Sequence, residues 1–493
     1  MREIVTLQLG HLSNYLATHF WNAQESYFTY GDQGKALVDH NVHWRPGLGQ
    51  DGTETFLPRT VVYDLKGGFG SLRRINPLYD GASTSSAAAD SLWSGQPAVH
   101  KQEAVSPSAY QQSLDADTEP QRPTASTVRY WSDFSRVYLH PRSAVQLYDF
   151  ELGSSIRPFE RFAMGAELFG SLDKEHDIVD RDWRPFVEEC DAMQGIQVLT
   201  TLDDAWGGFA LSYLEALRDE YPKSCIWVWG LQAPLLDASR QQRQLRLANT
   251  AQSLGQSCSM ASIVVPLTIP DTQTSTTLAI DRSSPWHVSG LLSTVMESAA
   301  LPSRLAAGPG QRPTSLSDMA ECLNTSGRQT LVGAKMGVGA RALEPDADTL
   351  DVGSFFPGCG NAPGGHGRIF GQLSTCRGTV DDKVPAEDAS GREPRHRVGD
   401  PIIRSYTSSL LFPLPSSFPP VFPDASADEA AIPVRAVLST DSSMSARVKM
   451  LQSQTSRSVT LEDREALSSG LMDIADAYQD GWSSGSDEGD DDL

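Results

Sequence analysis

Residues 1–9 (MREIVTLQL) alternate, with Val5, Leu7 and Leu9 on one side, which predicts a first strand. Gly10 supplies a turn, after which Leu12, Tyr15, Leu16, His19 and Ala23 fall on one stripe of a helix. The pattern returns at 194–200, where Ile196 and Val198 share a side and the polar turn 201–204 follows. From Ala210 an apolar stripe recurs at helical spacing through Tyr213, Leu214, Leu217 and Tyr221. Pro222 stops that helix, and 225–229 (CIWVW) predicts a short buried strand. Strand, helix and strand in that order predict a βαβ unit in a parallel sheet. Residues 56–67 and 262–270 read as further strands, and 233–254 and 286–305 as helices. Nearer the end, 434–438 and 446–451 read as strands, and 461–480 as a helix carrying Leu467, Leu471, Ile474 and Tyr478.

Three stretches break these patterns. Residues 80–127 hold few large apolar side chains and much Ser, Ala, Gln and Pro, which predicts a disordered insertion that the first domain can fold without. Residues 357–400 are glycine-rich and charged and read as a second flexible insertion. The Pro- and aromatic-rich ribbon 412–423 is expected to lie across the protein's own surface, with a partner's groove as the alternative. The resulting division is a first domain at 1–255, a second α+β domain at 256–455, and a C-terminal helix with an acidic tail at 456–493.

Composition narrows the function classes. A net charge of −22 over 493 residues argues against direct nucleic-acid binding and favours a soluble acidic surface with basic or regulatory protein partners. The six cysteines (190, 225, 258, 322, 359 and 376) show no paired spacing and read as free thiols. Cys359, His366, Cys376 and His396 match no usual zinc spacing, so no metal is expected there. No apolar run reaches the roughly 20 residues of a membrane-spanning helix. Glu3 within a first strand does not fit a cleavable basic presequence, so any organelle association is expected to be peripheral, from the cytosolic side.

The candidate chemistry lies where the predicted strands meet their helices. Backbone N–H groups at Gly207 and Gly208, at the start of a helix, could face an anion. This segment resembles the one that holds the glycine-rich phosphate loop of tubulins, which also runs from Cys-Asp through Gln-Gly and an apolar strand into the loop. Its counterpart here, Leu202-Asp203-Asp204-Ala205-Trp206-Gly207-Gly208, keeps two glycines and places two carboxylates where phosphate would approach. The opening Met1-Arg2-Glu3-Ile4-Val5, with Gln8, Gly10, Asn14 and Phe20-Trp21, also resembles tubulin. There His11 is either a phosphate donor or a solvated helix-start histidine. In 56–67, Asp64 matches a tubulin carboxylate that helps hold Mg²⁺, but Lys66 replaces the glutamate beside it.

Trp131-Ser132-Asp133-Phe134 followed by Leu139-His140-Pro141-Arg142-Ser143 resembles a signature of the Misato family of tubulin-like proteins. The resemblance implies an α/β tubulin-like fold: a Rossmann-like parallel sheet flanked by helices, a smaller α+β domain and C-terminal helices. It implies a non-enzymatic role in partitioning mitochondria and inheriting mitochondrial DNA, since fungal members are associated with both. Protein partners, tubulin or mitochondrial surface proteins among them, and residence at the mitochondrial surface and in the cytoplasm follow from the same resemblance. A degenerate nucleotide pocket at Gly10, His11, Asp64, Gly207 and Gly208 is expected to hold no cofactor and to do no catalysis. The alternatives are a GTP-binding, filament-forming tubulin homologue and a microtubule-interacting scaffold.

Overall fold

The computed structural model describes residues 2–28, 36–48, 54–72, 105–235, 238–270, 278–306, 312–344, 349–355, 367–379, 400–423, 430–455 and 461–479. Its organising element is a six-stranded, fully parallel sheet. The strands are β1 (Ile4–Leu9), β4 (Thr60–Lys66), β5 (Ala144–Glu151), β6 (Gly195–Thr201), β7 (Cys225–Leu231) and β8 (Ile263–Leu267), in the order β5-β4-β1-β6-β7-β8. A hairpin of β2 (Trp44–Leu48) and β3 (Glu54–Pro58) leads into β4. β1, β6 and β7 are buried on both faces, as a sheet with helices on each side requires, whereas the edge strand β5 is partly exposed.

One face of the sheet is covered by α3 (Phe162–His176), the short α4 (Arg184–Glu188), α5 (Ala205–Glu220) and α6 (Arg240–Met260). The other carries α1 (His11–Glu25), α7 (Pro285–Ala300) and α8 (Leu316–Leu323). Beyond them lies a mixed five-stranded sheet of β9 (Gly333–Val338), β10 (Leu350–Asp351), β11 (Ile369–Arg377), β12 (Ile402–Ser408) and β15 (Val434–Asp441), in the order β10-β9-β15-β11-β12. The two-residue strands β13 (Phe412–Pro413) and β14 (Ala431–Ile432) pair with each other. The sheets are joined through main chain, because Val264 donates to Thr330 O and accepts from Val332 N. They are also joined by a buried charge cluster: Glu297 on α7 takes hydrogen bonds from Gln24, Tyr27, Arg304 and Arg377, the last residue of β11. Finally α9 (Ser443–Thr455) and α10 (Leu461–Ala477) fold back over α6, where Leu451, Leu471 and Tyr478 enter the first domain's core.

Four sequence expectations change here. The boundary at 255 falls inside α6 and would detach β8, the edge strand of the first sheet. The segment 446–451 lies in the helix α9, not in a strand. The flexible insertion expected at 357–400 contains β11, which pairs with both β12 and β15; only 356–366 and 380–399 lie outside the described residues. Residues 105–127 of the expected disordered insertion carry α2 (Ala109–Asp115), while 80–104 lie outside the described residues. α2 is held by polar anchors: Gln111 donates to the carbonyls of Ser132 and Ser135, and Ser108 donates to that of Asp133. The ribbon 412–423 does lie on the protein itself, with Ser417 O accepting from the Trp286 indole and Ser417 Oγ from Asn22.

Candidate functional site

At the carboxyl ends of β1 and β4, where a pocket is expected, the residues hold one another. Gly10 closes the turn between β1 and α1 at φ +96°, a conformation that side chains other than glycine rarely adopt. A Cβ there would also sit 2.7 Å from the Trp206 indole, which covers this turn from α5. His11 opens α1 and directs Nδ1 at Asp64 Oδ2, 3.1 Å away. Asp64, at 0 % exposure, takes three more donors: Asn14 Nδ2 at 3.2 Å, the Trp131 indole N–H at 3.0 Å and the Leu65 amide at 2.9 Å. Both carboxylate oxygens are thus occupied by the protein's own hydrogens. A cation would have to displace them.

The motif at 131–134 now has a physical account. Trp131 caps Asp64. The carbonyl of Ser132 receives Gln111 of α2. Asp133 accepts from the backbone N–H groups of Arg129 and Tyr130 and so fixes the turn. Phe134 packs on Tyr15, His19 and Trp286. The loop therefore packs aromatic rings against Asp64 and the start of α1. The remaining basic groups are peripheral. Arg136 pairs with Glu25 at 3.0 Å, and Lys66 lies 3.9 Å from Glu151 on the surface.

The phosphate-loop counterpart is closed in the same way. Asp204 caps α5, accepting from Trp206 N at 2.9 Å and from the Thr201 hydroxyl, so the first turn of the helix already has its anion. Asp203 is buried and accepts from Ala233 N at 3.1 Å. Burial, followed by the charge of Asp204, raises its carboxyl above the usual range, and Arg246 works against this. Gly207 and Gly208 follow the Trp206 that covers Gly10 and lie against neighbouring helices. A Cβ on Gly208 would strike the Phe162 carbonyl of α3, and one on Gly207 would strike Ser253 of α6. These glycines permit close helix packing, the residues that sequence reasoning assigned to phosphate.

What stays open is a cavity of about 360 Å³ beside the pocket, between the starts of α6 and α7, lined by Leu12, Pro234, Gln242, Arg246, Arg282 and Val288 among others. Sequence reasoning missed Trp131 and Trp206 as the groups that seal the pocket; a tryptophan inside a loop that must admit phosphate was the available signal. Burial pushes the thiols of Cys190 and Cys258 up to about 11 and about 12, so both are protonated at neutral pH. Cys190, Cys225, Cys258, Cys322 and Cys376 form no disulfide.

Comparison with known proteins fits this geometry. A tubulin-domain profile matches residues 120–305, and a Misato Segment II tubulin-like domain profile matches 2–116. The chain is 54% identical to Protein DML1 of Gibberella zeae and 46% identical to Protein dml-1 of Neurospora crassa, in both cases over 100% of each chain. The chain belongs to the Misato family of tubulin-like proteins. A mammalian relative, Protein misato homolog 1 of Bos taurus, is 30% identical over 67% of this chain and 64% of its own.

Proposed function

We propose that this Misato-family protein is a tubulin-like scaffold without a GTPase cycle, acting through protein partners in the partitioning of mitochondria and the inheritance of mitochondrial DNA. The observation that carries the first half is Asp64: a carboxylate that accepts four protein hydrogen bonds at 0 % exposure is spent on structure, not on a metal. Phosphoryl transfer depends on a positioned cation and a cradle of donors, and here the cradle is capped by Asp204. The organelle role rests on the resemblance to fungal Misato proteins. Association from the cytosolic face of mitochondria is part of the proposal, and intact mitochondria treated with protease should lose the bound protein.

The 360 Å³ cavity lined by Arg246 and Arg282 favours a second reading, in which a nucleotide is held but not turned over. One experiment separates the readings. An Ala238→Trp variant fills this cavity, of which Ala238 is a wall. In cells lacking the protein, rescue of mitochondrial DNA inheritance by the variant, with no guanine nucleotide in the purified wild type, supports the scaffold. Stoichiometric GTP in the wild type together with failed rescue overturns it. Co-sedimentation with polymerised tubulin would favour a microtubule-interacting scaffold instead.

A further inference from the structure

At the opposite end of the six-stranded sheet, where β4 begins, stands Arg59. Its main chain is fixed by Arg59 N to His43 O at 2.8 Å and Thr6 N to Arg59 O at 2.9 Å, and the residue is only 4 % exposed. Its guanidinium makes one long contact, Nη1 to Cys190 Sγ at 4.0 Å, and Nε has no partner. It forms no ion pair among the described residues. A buried guanidinium without a counter-charge is costly unless something anionic answers it.

Beside it lies a cavity of about 270 Å³ lined by Arg45, His140, Arg142, Pro185, Phe186 and Glu189. Arg45 pairs with Glu189 at 2.9 Å. Arg142 is exposed, and its guanidinium has no hydrogen bond or ion pair among the described residues. Glu189 lies within reach of the charges of Arg45, Arg59 and Arg142 together, and it is already paired with Arg45, so Arg142 in the cavity wall and Arg59 behind it have no ion pair among the described residues. The other buried carboxylate nearby, Glu3, accepts from Ala192 N at 3.0 Å and makes no ion pair with Arg59. His140 Nδ1 accepts from Arg142 N at 3.1 Å, so the proton of the neutral ring sits on Nε2. Burial and the two flanking arginines keep that ring neutral, its pKa lowered to about 4. In a chain of net charge −22, this excess of arginine around one small cavity runs against the overall composition.

We propose that this cavity is a binding site for a phosphate monoester dianion carried on a small organic group. Arg142 in the wall and Arg59 behind it are unanswered by an ion pair and favour an anion there, and arginine forks suit phosphate oxygens. Pro185 and Phe186 supply an apolar wall for the group that bears the ester. A recessed cavity in a strongly acidic protein fits a single ester and not an anionic bilayer.

The test is calorimetry on the full chain at neutral pH and low salt, with phenyl phosphate as probe and phenyl sulfonate as its monoanionic control. Phenyl phosphate should bind with a Kd on the order of 0.1–1 mM, and the sulfonate about fivefold more weakly. Arg142→Gln, at an exposed position, should weaken phenyl phosphate about tenfold. Glu189→Gln should tighten it severalfold, because it removes the one anion from the cavity wall. The opposite signs distinguish a site from general loss of folding. No heat with about 10 mM phenyl phosphate, or both variants within about twofold of wild type, would overturn the proposal. Binding of a phosphoserine peptide at least as tight as that of phenyl phosphate assigns the ester to a protein, and preference for the free ester assigns it to a soluble metabolite. Arg142-dependent binding to phosphatidic acid vesicles with no binding of either soluble ester would overturn it in favour of a lipid surface.

Discussion

Replacing Asp64 by Ala tests whether the carboxylate is structural. The side chain sits at 0 % exposure and answers four donors. Three of these, Leu65 N, Asn14 Nδ2 and Trp131 Nε1, are themselves buried, whereas His11 is partly exposed and can rehydrate. A hydrogen bond to a charged group contributes about 1.5–3 kcal/mol, and a stranded buried donor costs about 1–3 kcal/mol. Three such losses do not add fully, because water can enter the space vacated, so the net cost should be about 3–5 kcal/mol. For a domain of this size that lowers the first thermal transition by on the order of 10 °C. Asp64→Asn gives a finer test. Oδ2 takes three of the donors and Oδ1 takes Leu65 N, so an amide oriented for the three turns its NH₂ toward the Leu65 amide. The cost should then fall to about 1–3 kcal/mol. Differential scanning fluorimetry of wild type, Asn and Ala variants should rank them in that order. An Ala variant melting within about 2 °C of wild type would refute the reasoning and return Asp64 to the role of a solvent-facing ligand.

Three further outcomes are expected. Glu297→Gln should cost about 3–5 kcal/mol by urea denaturation, since it leaves Arg304 and Arg377, both at 0 % exposure, without their buried counter-charge. Tyr110→Ala should destabilise the first domain by about 3–5 kcal/mol, because the ring is packed with Phe69, Trp131 and Phe134; unchanged melting would mean that α2 is dispensable after all. Asp203→Asn should flatten the pH dependence of stability. The folded chain holds a proton on Asp203 that the unfolded chain releases near pH 4, so the wild type loses stability as pH rises from about 4 towards neutrality; the variant should lose less, the remainder coming from Asp204, whose carboxyl burial raises to about 6.

The first sheet was legible in the sequence because its strands and helices keep strict periods: Val5, Leu7 and Leu9 in β1, and Tyr213, Leu214 and Leu217 in α5, all lie in the core. What escaped was structure held by polar or small groups. β11 has Leu373 as its one fully buried large apolar side chain and otherwise fills its buried positions with Gly371, Ser374, Thr375 and the ion-paired Arg377, so it reads like the loops that flank it. α2 is anchored by Gln111 and Ser108 on backbone carbonyls, which a count of apolar residues cannot register. The candidate site was half legible. Asp64 and His11 do meet at Gly10, but whether a carboxylate faces solvent or four protein donors depends on residues as distant as Trp131. Gly207 and Gly208 illustrate the same limit, since a glycine kept for a phosphate and one kept for a helix contact look identical in sequence.

The return of α10 onto α6 sets the order in which the chain can mature. Leu467, Leu471, Ile474 and Tyr478 complete a core whose last strand, β8, is finished at Leu267. The Tyr478 hydroxyl donates to Leu331 O at 2.6 Å, pinning the late helix across the junction of the two sheets. During synthesis at about 5–20 residues per second, the apolar flank of α6 therefore waits roughly 10–40 s for its cover. Over that interval the nascent first domain leaves this apolar flank without its cover. A nonsense mutation just before α10 would leave every strand in place and yet release a chain that never stops exposing this flank.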